Sequence, residues 1–183
     1  MRIIGGRFRG KKLEYTSDET TRPTTDRVKE NIFNILASRG VDFETASVFV
    51  PFCGSGQMGL ECISRGTTKV VFNDLDTKVV KKNLGTLGFS SGLVLSGDCF
   101  GALDKLKNNK QKFSLVFLDP PYTDSEKLVG VVNYLRLNKM LAEDFIIVCE
   151  TEKPDIDFGN DFNVDVRRYG RAVIYCLTKS SHV

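Results

Sequence analysis

Histidine is almost missing from this chain. The only one is His182, one residue from the C-terminus, which removes most nucleophile and general-base schemes built on imidazole and any histidine-rich metal site. The five cysteines (Cys53, Cys62, Cys99, Cys149 and Cys176) are scattered, odd in number and never spaced C-x-x-C, so buried reduced thiols are expected rather than a zinc site or a disulfide frame. No apolar run approaches the roughly 18 residues of a membrane span, and the start, MRIIGGRFRG, lacks the apolar centre of a signal peptide. The expected compartment is the cytoplasm, with no membrane and no metal. There is no repeat, no low-complexity tract and no linker long enough to separate a pair of full domains. With 183 residues, 41% apolar and 27% charged, the chain suits one domain with a sizeable core.

Charge is unevenly spread. The net value is +3, yet residues 1–39 hold nine basic and five acidic residues, and residues 1–13 hold Arg2, Arg7, Arg9, Lys11 and Lys12 with no acid. A clustered basic face is the footprint of a polyanion partner; a merely solvated face explains it as well.

The start reads as a short hairpin, with Ile3-Ile4, a turn at or near Gly5-Gly6, and a second strand through Lys12–Tyr15. A polar break, TSDETTRP, separates it from a helix that begins near Thr25, carries Val28, Ile32, Ile35 and Leu36 on one face, and closes at Gly40. The pattern then alternates: SVFVPF, TKVVFND, GLVLS, FSLVFLD and FIIVCE are β-rich runs separated by helical windows. Such alternation predicts a mostly parallel sheet covered on both faces. FNVDVRRYGRAVIYCLT, within 161–178, predicts a terminal antiparallel hairpin around Gly170. The expected organisation is a basic N-terminal extension, residues 1–20, followed by one α/β domain, residues 21–183.

Ligands of open α/β sheets bind at the C-terminal strand ends. The first strand ends in PFCGSGQMG, where Gly54, Gly56 and Gly59 form G-x-G-x-x-G before a helix; glycine there lets the backbone approach a ligand closely, but alone the motif reads as a plain strand-to-helix turn. Asp74 ends the second strand twenty residues after Gly54, a distance suited to accepting ribose hydroxyls of a nucleoside-bearing cofactor. Asp98 follows the third strand and could meet an adenine amine or cap the next helix.

The fourth strand ends in DPPY, residues 119–122. Proline fixes its own φ and holds the preceding residue extended, so Asp119 is held at the strand tip before a stiff turn. Neither proline has an N–H to occupy nearby acceptors. The Asp119 carboxylate and Pro120 carbonyl are then available to the two hydrogens of a substrate amine, and Tyr122 offers a flat face to a planar group. A strand-ending turn is the bland alternative.

Taken together, RIIGGRFRGKKL at 2–13, TRPTTDRVKENIFNIL at 21–36, GSGQMGLECISRG at 54–66 and FLDPPY at 117–122 resemble the RsmD family, which methylates guanine N2 in small-subunit (16S) ribosomal RNA. IIVCETE at 146–152 and the final hairpin are similar too. The resemblance implies a Rossmann-like, seven-stranded methyltransferase sheet with a reversed final strand and helices on both faces, preceded by an RNA-contacting hairpin. It implies S-adenosylmethionine as cofactor, held by Phe52, Cys53, Gly54, Gly56, Asp74, Leu75, Asp98, Cys99 and Asp119. Asp119, Pro120, Pro121 and Tyr122 would be catalytic, and Arg7, Arg9, Lys11, Lys12, Arg22 and Arg27 would contact RNA. The partner would be ribosomal RNA or a partly assembled small subunit, met by a monomer. Val50, Pro51, Cys53, Gln57 and Met58 depart from the usual pattern. Val50 stands where methyltransferases of this class usually have an acid that helps orient the methionine end of the cofactor or its loop.

The rivals are an adenine-N6 or protein-glutamine methyltransferase, which would use the same four residues, a nicotinamide dehydrogenase, which leaves DPPY idle, and a non-catalytic RNA-binding assembly factor, which Val50 would suit.

Overall fold

The structure, a computed structural model, describes residues 1–15, 25–120 and 125–180. Arg22, Pro121 and Tyr122 lie outside the described residues.

The helix expected near Thr25 is α1 (Asp26–Ser38): the Thr25 hydroxyl accepts from the Val28 amide at 3.3 Å, and Gly40 follows the helix with φ of 74°. Its buried face holds Val28, Ile32, Phe33 and Leu36, and also Lys29, whose ammonium donates to the Arg2 carbonyl and lies 3.5 Å from Asp26. Strand and helix then alternate through β1 (Ser47–Pro51), α2 (Gln57–Ser64), β2 (Lys69–Asp74), α3 (Lys78–Thr86), β3 (Leu93–Ser96), α4 (Cys99–Asn108), β4 (Phe113–Leu118), α5 (Ser125–Leu137) and β5 (Leu141–Thr151). The predicted terminal hairpin is β6 (Phe162–Tyr169) and β7 (Ala172–Lys179). One seven-stranded sheet results, in the order β3-β2-β1-β4-β5-β7-β6. β1 to β5 run parallel; β7 inserts antiparallel between β5 and β6.

Alternate strand residues feed two cores. Val48, Val50, Leu115, Phe117, Ile146 and Val148 pack under α1, α2 and α3 on one face. Phe49, Val116, Leu118, Ile147 and Cys149 pack under α4 and α5 on the other. Both faces are covered, as the near-continuous apolar runs require. All five cysteines are free and buried.

The N-terminal segment departs from the expected hairpin. A single antiparallel bridge, Arg2 with Lys12, stands in place of two strands. The reversal falls across Gly6–Gly10, where Arg9 N–H donates to the Gly6 carbonyl and Gly10 N–H to the Ile3 carbonyl. Gly5 and Gly6 instead press on α2: a Cβ on Gly6 would lie 1.9 Å from the Ser64 carbonyl oxygen. The wholly buried Glu61 carboxylate accepts the Ile4 and Gly5 amides at 2.9 and 2.8 Å and pairs with Arg65 at 3.2 Å. Ile3 and Leu13 are core residues, so this segment is bound into the domain rather than trailing from it.

Candidate active site

From β1 the chain moves outward to β2 and β3, then crosses back to β4 on the other side. The strand ends of β1 and β4 therefore flank a topological switch point, where open sheets of this kind leave a crevice.

One wall is the loop after β1. Phe52, Gly54 and Gly56 have φ of 56°, 51° and 83°, a run of left-handed conformations that turns the backbone sharply into α2. The glycines do different work. A Cβ on Gly56 would lie 2.5 Å from Val80, and one on Gly59 2.3 Å from the Phe72 ring, whereas one on Gly54 would meet nothing within 4 Å. Gly56 and Gly59 thus allow close packing of α2, and Gly54 faces open space. Cys53 and Cys99 also border the crevice, but their thiols are buried in the two cores. Burial and the Asp98 charge push the Cys99 thiol up to about 12, so both residues would serve through backbone and shape.

The second wall is the end of β2. Asp74 accepts the Gly54 amide at 2.7 Å through one carboxylate oxygen and the Asp76 amide at 3.4 Å through the other. Beside it Leu75 is 79% exposed, an apolar plate next to a polar acceptor. Asn73, which sequence reasoning missed, ties three loops together. Its buried side-chain amide donates to the Leu95 and Gly97 carbonyls, both at 3.0 Å, and its own carbonyl accepts the Cys53 amide at 3.0 Å. An amide ending a buried strand is the signal that could have found it.

Asp98 takes the bland role foreseen for it: one oxygen caps α4 by accepting the Phe100 and Gly101 amides at 2.9 and 3.2 Å. Asp119 and Pro120 end β4 on the other side of the switch point. Asp119 is exposed as a residue at the tip of β4, although its carboxyl is desolvated by the surrounding protein. That burial and the neighbouring Glu150 charge hold it well above the ordinary carboxylate range. Lys127, in the first turn of α5, reaches over the Phe52 ring at 5.7 Å.

Val50 is 4% exposed and packs in the core beneath α2, within reach of a Cβ at Gly59. The departure from the usual acid thus falls on a side chain that points into the core.

The described basic candidates lie on the N-terminal segment and on α1. The N-terminal loop runs along α2, with Met1 near Ser55 and the Arg7 and Phe8 amides at Ser64, on opposite ends of that helix. Arg7, Arg9, Lys11, Lys12 and Arg27 are exposed, and none is ion-paired among the described residues.

A family model described as "Conserved hypothetical protein 95" matches residues 1–178. Ribosomal RNA small subunit methyltransferase D of Escherichia coli K12 is 36% identical over 155 residues, spanning 83% of this chain and 75% of that protein. The chain belongs to the RsmD family. An Escherichia coli structure described as "Putative methyltransferase yhhF" superposes with a TM-score of 0.83 at 29% identity, over 100% of this chain and 99% of that one. A structure described as "SMU.776, a putative methyltransferase complexed with SAH" shares the fold at a TM-score of 0.65 and 10% identity, over 82% of this chain and 49% of that one.

Proposed function

We propose that this RsmD-family chain transfers a methyl group from S-adenosylmethionine to the exocyclic N2 amine of a guanine in small-subunit ribosomal RNA. The observation that carries the reading is the placement of Asp119 and Pro120 directly across the switch point from the Gly54–Asp74 loop pair.

The residues present fit the cofactor. Gly54 leaves open room where a side chain would stand, Asp74 offers carboxylate oxygens to ribose hydroxyls, and Leu75 offers an apolar plate for a purine. Phe52, Cys53 and Gly56 shape the loop, and Asp98 and Cys99 close the third side, where the second Asp98 oxygen suits an adenine amine. When bound, S-adenosylmethionine supplies an electrophilic sulfonium methyl with a neutral thioether as leaving group. Everything else falls to the chain. Guanine N2 is a poor nucleophile because its lone pair is delocalised into the ring. Asp119 and Pro120 accept its hydrogens, hold the amine in line and weaken that delocalisation; Tyr122 stacks on the base, and Pro121 stiffens the turn. Fixed near-attack geometry supplies about 7–11 kcal/mol of such a barrier. The proton shed by N2 passes to the Asp119 carboxylate, whose raised proton affinity suits that task.

A base within structured RNA must be flipped out to reach such a crevice. Arg7, Arg9, Lys11, Lys12, Arg22 and Arg27 hold the surrounding phosphates, with residues 1–20 as the RNA-contacting extension and 21–183 as the catalytic domain, in a cytoplasmic monomer. Methyl transfer from labelled cofactor to unmodified small-subunit RNA, free and then partly assembled with ribosomal proteins, tests the reading by nucleoside digest. N2-methylguanosine is the expected product. N6-methyladenosine, or RNA binding without any methylation, would overturn it.

A further inference from the structure

The fifth strand, β5, carries an acid of its own near its C-terminal end, Glu150. In the parallel pairing of β4 with β5, Leu118 lies opposite Cys149, so the next step along both strands sets Asp119 beside Glu150. Their faces agree: Phe117 and Val148, two positions earlier on each strand, share the core beneath α1 and α2, and side chains two apart on a strand point the same way. Adjacent strands bring such neighbours within about 5 Å at the backbone. Glu150 is also held firmly, since β5 is interior to the sheet and pairs at this residue with Ile174 of β7.

Building on the guanine-N2 reading above, we propose that Glu150 is the residue that selects guanine, by accepting the N1–H next to the reacting amine. Across the crevice the order is glycine loop, Asp119, Glu150, because β4 lies between β1 and β5. The order required along the base is methyl donor, N2, N1, and the two sequences match. Guanine presents donors at both N2 and N1, whereas adenine presents a donor amine beside an N1 lone pair. Two neighbouring carboxylates therefore complement guanine and repel adenine. The mutual influence of the two groups is already visible in the raised Asp119 carboxyl, for which Glu150 is the charged cause. Glu150 acts here as a specificity residue; the amine itself remains with Asp119 and Pro120.

The probe is 2-aminopurine, which keeps the 2-amine but replaces N1–H by a lone pair. Once the wild-type digest has located the methylated guanine, synthetic RNA carrying guanine or 2-aminopurine at that position is ligated into the substrate, and single-turnover rates are compared. The wild-type protein is expected to prefer guanine by about 10- to 100-fold. Glu150→Gln, whose amide can turn to accept or donate, should keep guanine transfer within several-fold and shrink the preference toward unity. Thermal melting and cofactor calorimetry confirm that the variant is folded and loaded. A wild-type protein that methylates both bases equally overturns the proposal without any variant, and so does an unchanged preference in Glu150→Gln. Failure of the wild-type protein to make N2-methylguanosine at all would instead overturn the functional reading beneath it.

Discussion

Asp74 accepts the Gly54 amide at 2.7 Å, so the acid that ends β2 is fastened to the loop that ends β1. The bond has two consequences. It shapes the loop before any ligand arrives, and with the longer Asp76 amide contact on the second oxygen it means that the ribose hydroxyls proposed for Asp74 would share both carboxylate oxygens with the protein.

Asp74→Ala should lose both functions at once. A hydrogen bond to a charged group contributes about 1.5–3 kcal/mol, so calorimetry should show S-adenosylmethionine binding weakened by about 10- to 100-fold while RNA affinity holds. Asp74→Asn keeps an oxygen for Gly54 and should fall between alanine and wild type. Unchanged cofactor affinity in folded Asp74→Ala would remove the residue from the site.

Val50→Asp tests whether the missing acid has left a gap. Since Val50 is packed in the core against α2, the new carboxylate would be buried without a partner, and destabilisation of about 2–4 kcal/mol is expected. Its folded-state pKa would be raised above the unfolded value. The variant should therefore approach wild-type stability at low pH and lose ground as pH rises through that raised pKa. Melting curves across pH check this; tighter cofactor binding with intact stability would contradict it.

The N-terminal segment calls for two variants, because fold and charge are entangled there. Removing residues 1–13 strips the core of Ile3 and Leu13 and deprives Glu61 of its two amide donors, so the melting temperature should fall sharply. Replacing Arg7, Arg9, Lys11 and Lys12 with alanine leaves that scaffold intact. The melting temperature should hold, while the logarithmic salt dependence of RNA binding flattens by roughly 0.7–0.9 for each phosphate that is no longer neutralised. An unchanged slope would reduce the four charges to a solvated face.

Much of this molecule is legible in its sequence because its signals are local. Apolar runs stopped by glycine, proline or acid mark the strands, and the G-x-G-x-x-G turn, Asp74 and Asp119 mark the ends of β1, β2 and β4. What stays hidden depends on contacts between distant segments. Nothing near Gly5 announces that Glu61 will take its amide, so the glycine pair points to a reversal too early in the chain. Val50 reads as a gap in the site because the face a strand end presents is set by the packing of α2. Lys29 is a lysine yet wholly buried, which its place between the Arg2 carbonyl and the Asp26 and Glu61 carboxylates explains. Glu150 is within reach of sequence reasoning: an acid ending the fifth strand follows the same rule that singles out Asp119 on the fourth.

The sharpest conflict between stability and chemistry lies at Asp119. Its folded-state carboxyl is raised by burial and by Glu150, so its contribution to stability is fullest below the unfolded carboxyl range and is lost as pH rises through the folded value. Chemistry runs the other way, because an ionised carboxylate is the better acceptor for the amine hydrogens. The rate of methyl transfer should therefore fall as pH drops through the raised value, and Glu150→Gln, lacking the neighbouring charge, should shift that acid limb to lower pH. Asp119→Asn should lose most transfer activity yet melt at or above the wild-type temperature near neutral pH, with a flatter pH dependence of stability. Pairing melting curves with single-turnover rates over the same pH range separates the two effects. An Asp119→Asn protein that is less stable than wild type at neutral pH, or that transfers methyl at the wild-type rate, would show that the carboxylate is held for the fold and not for the base.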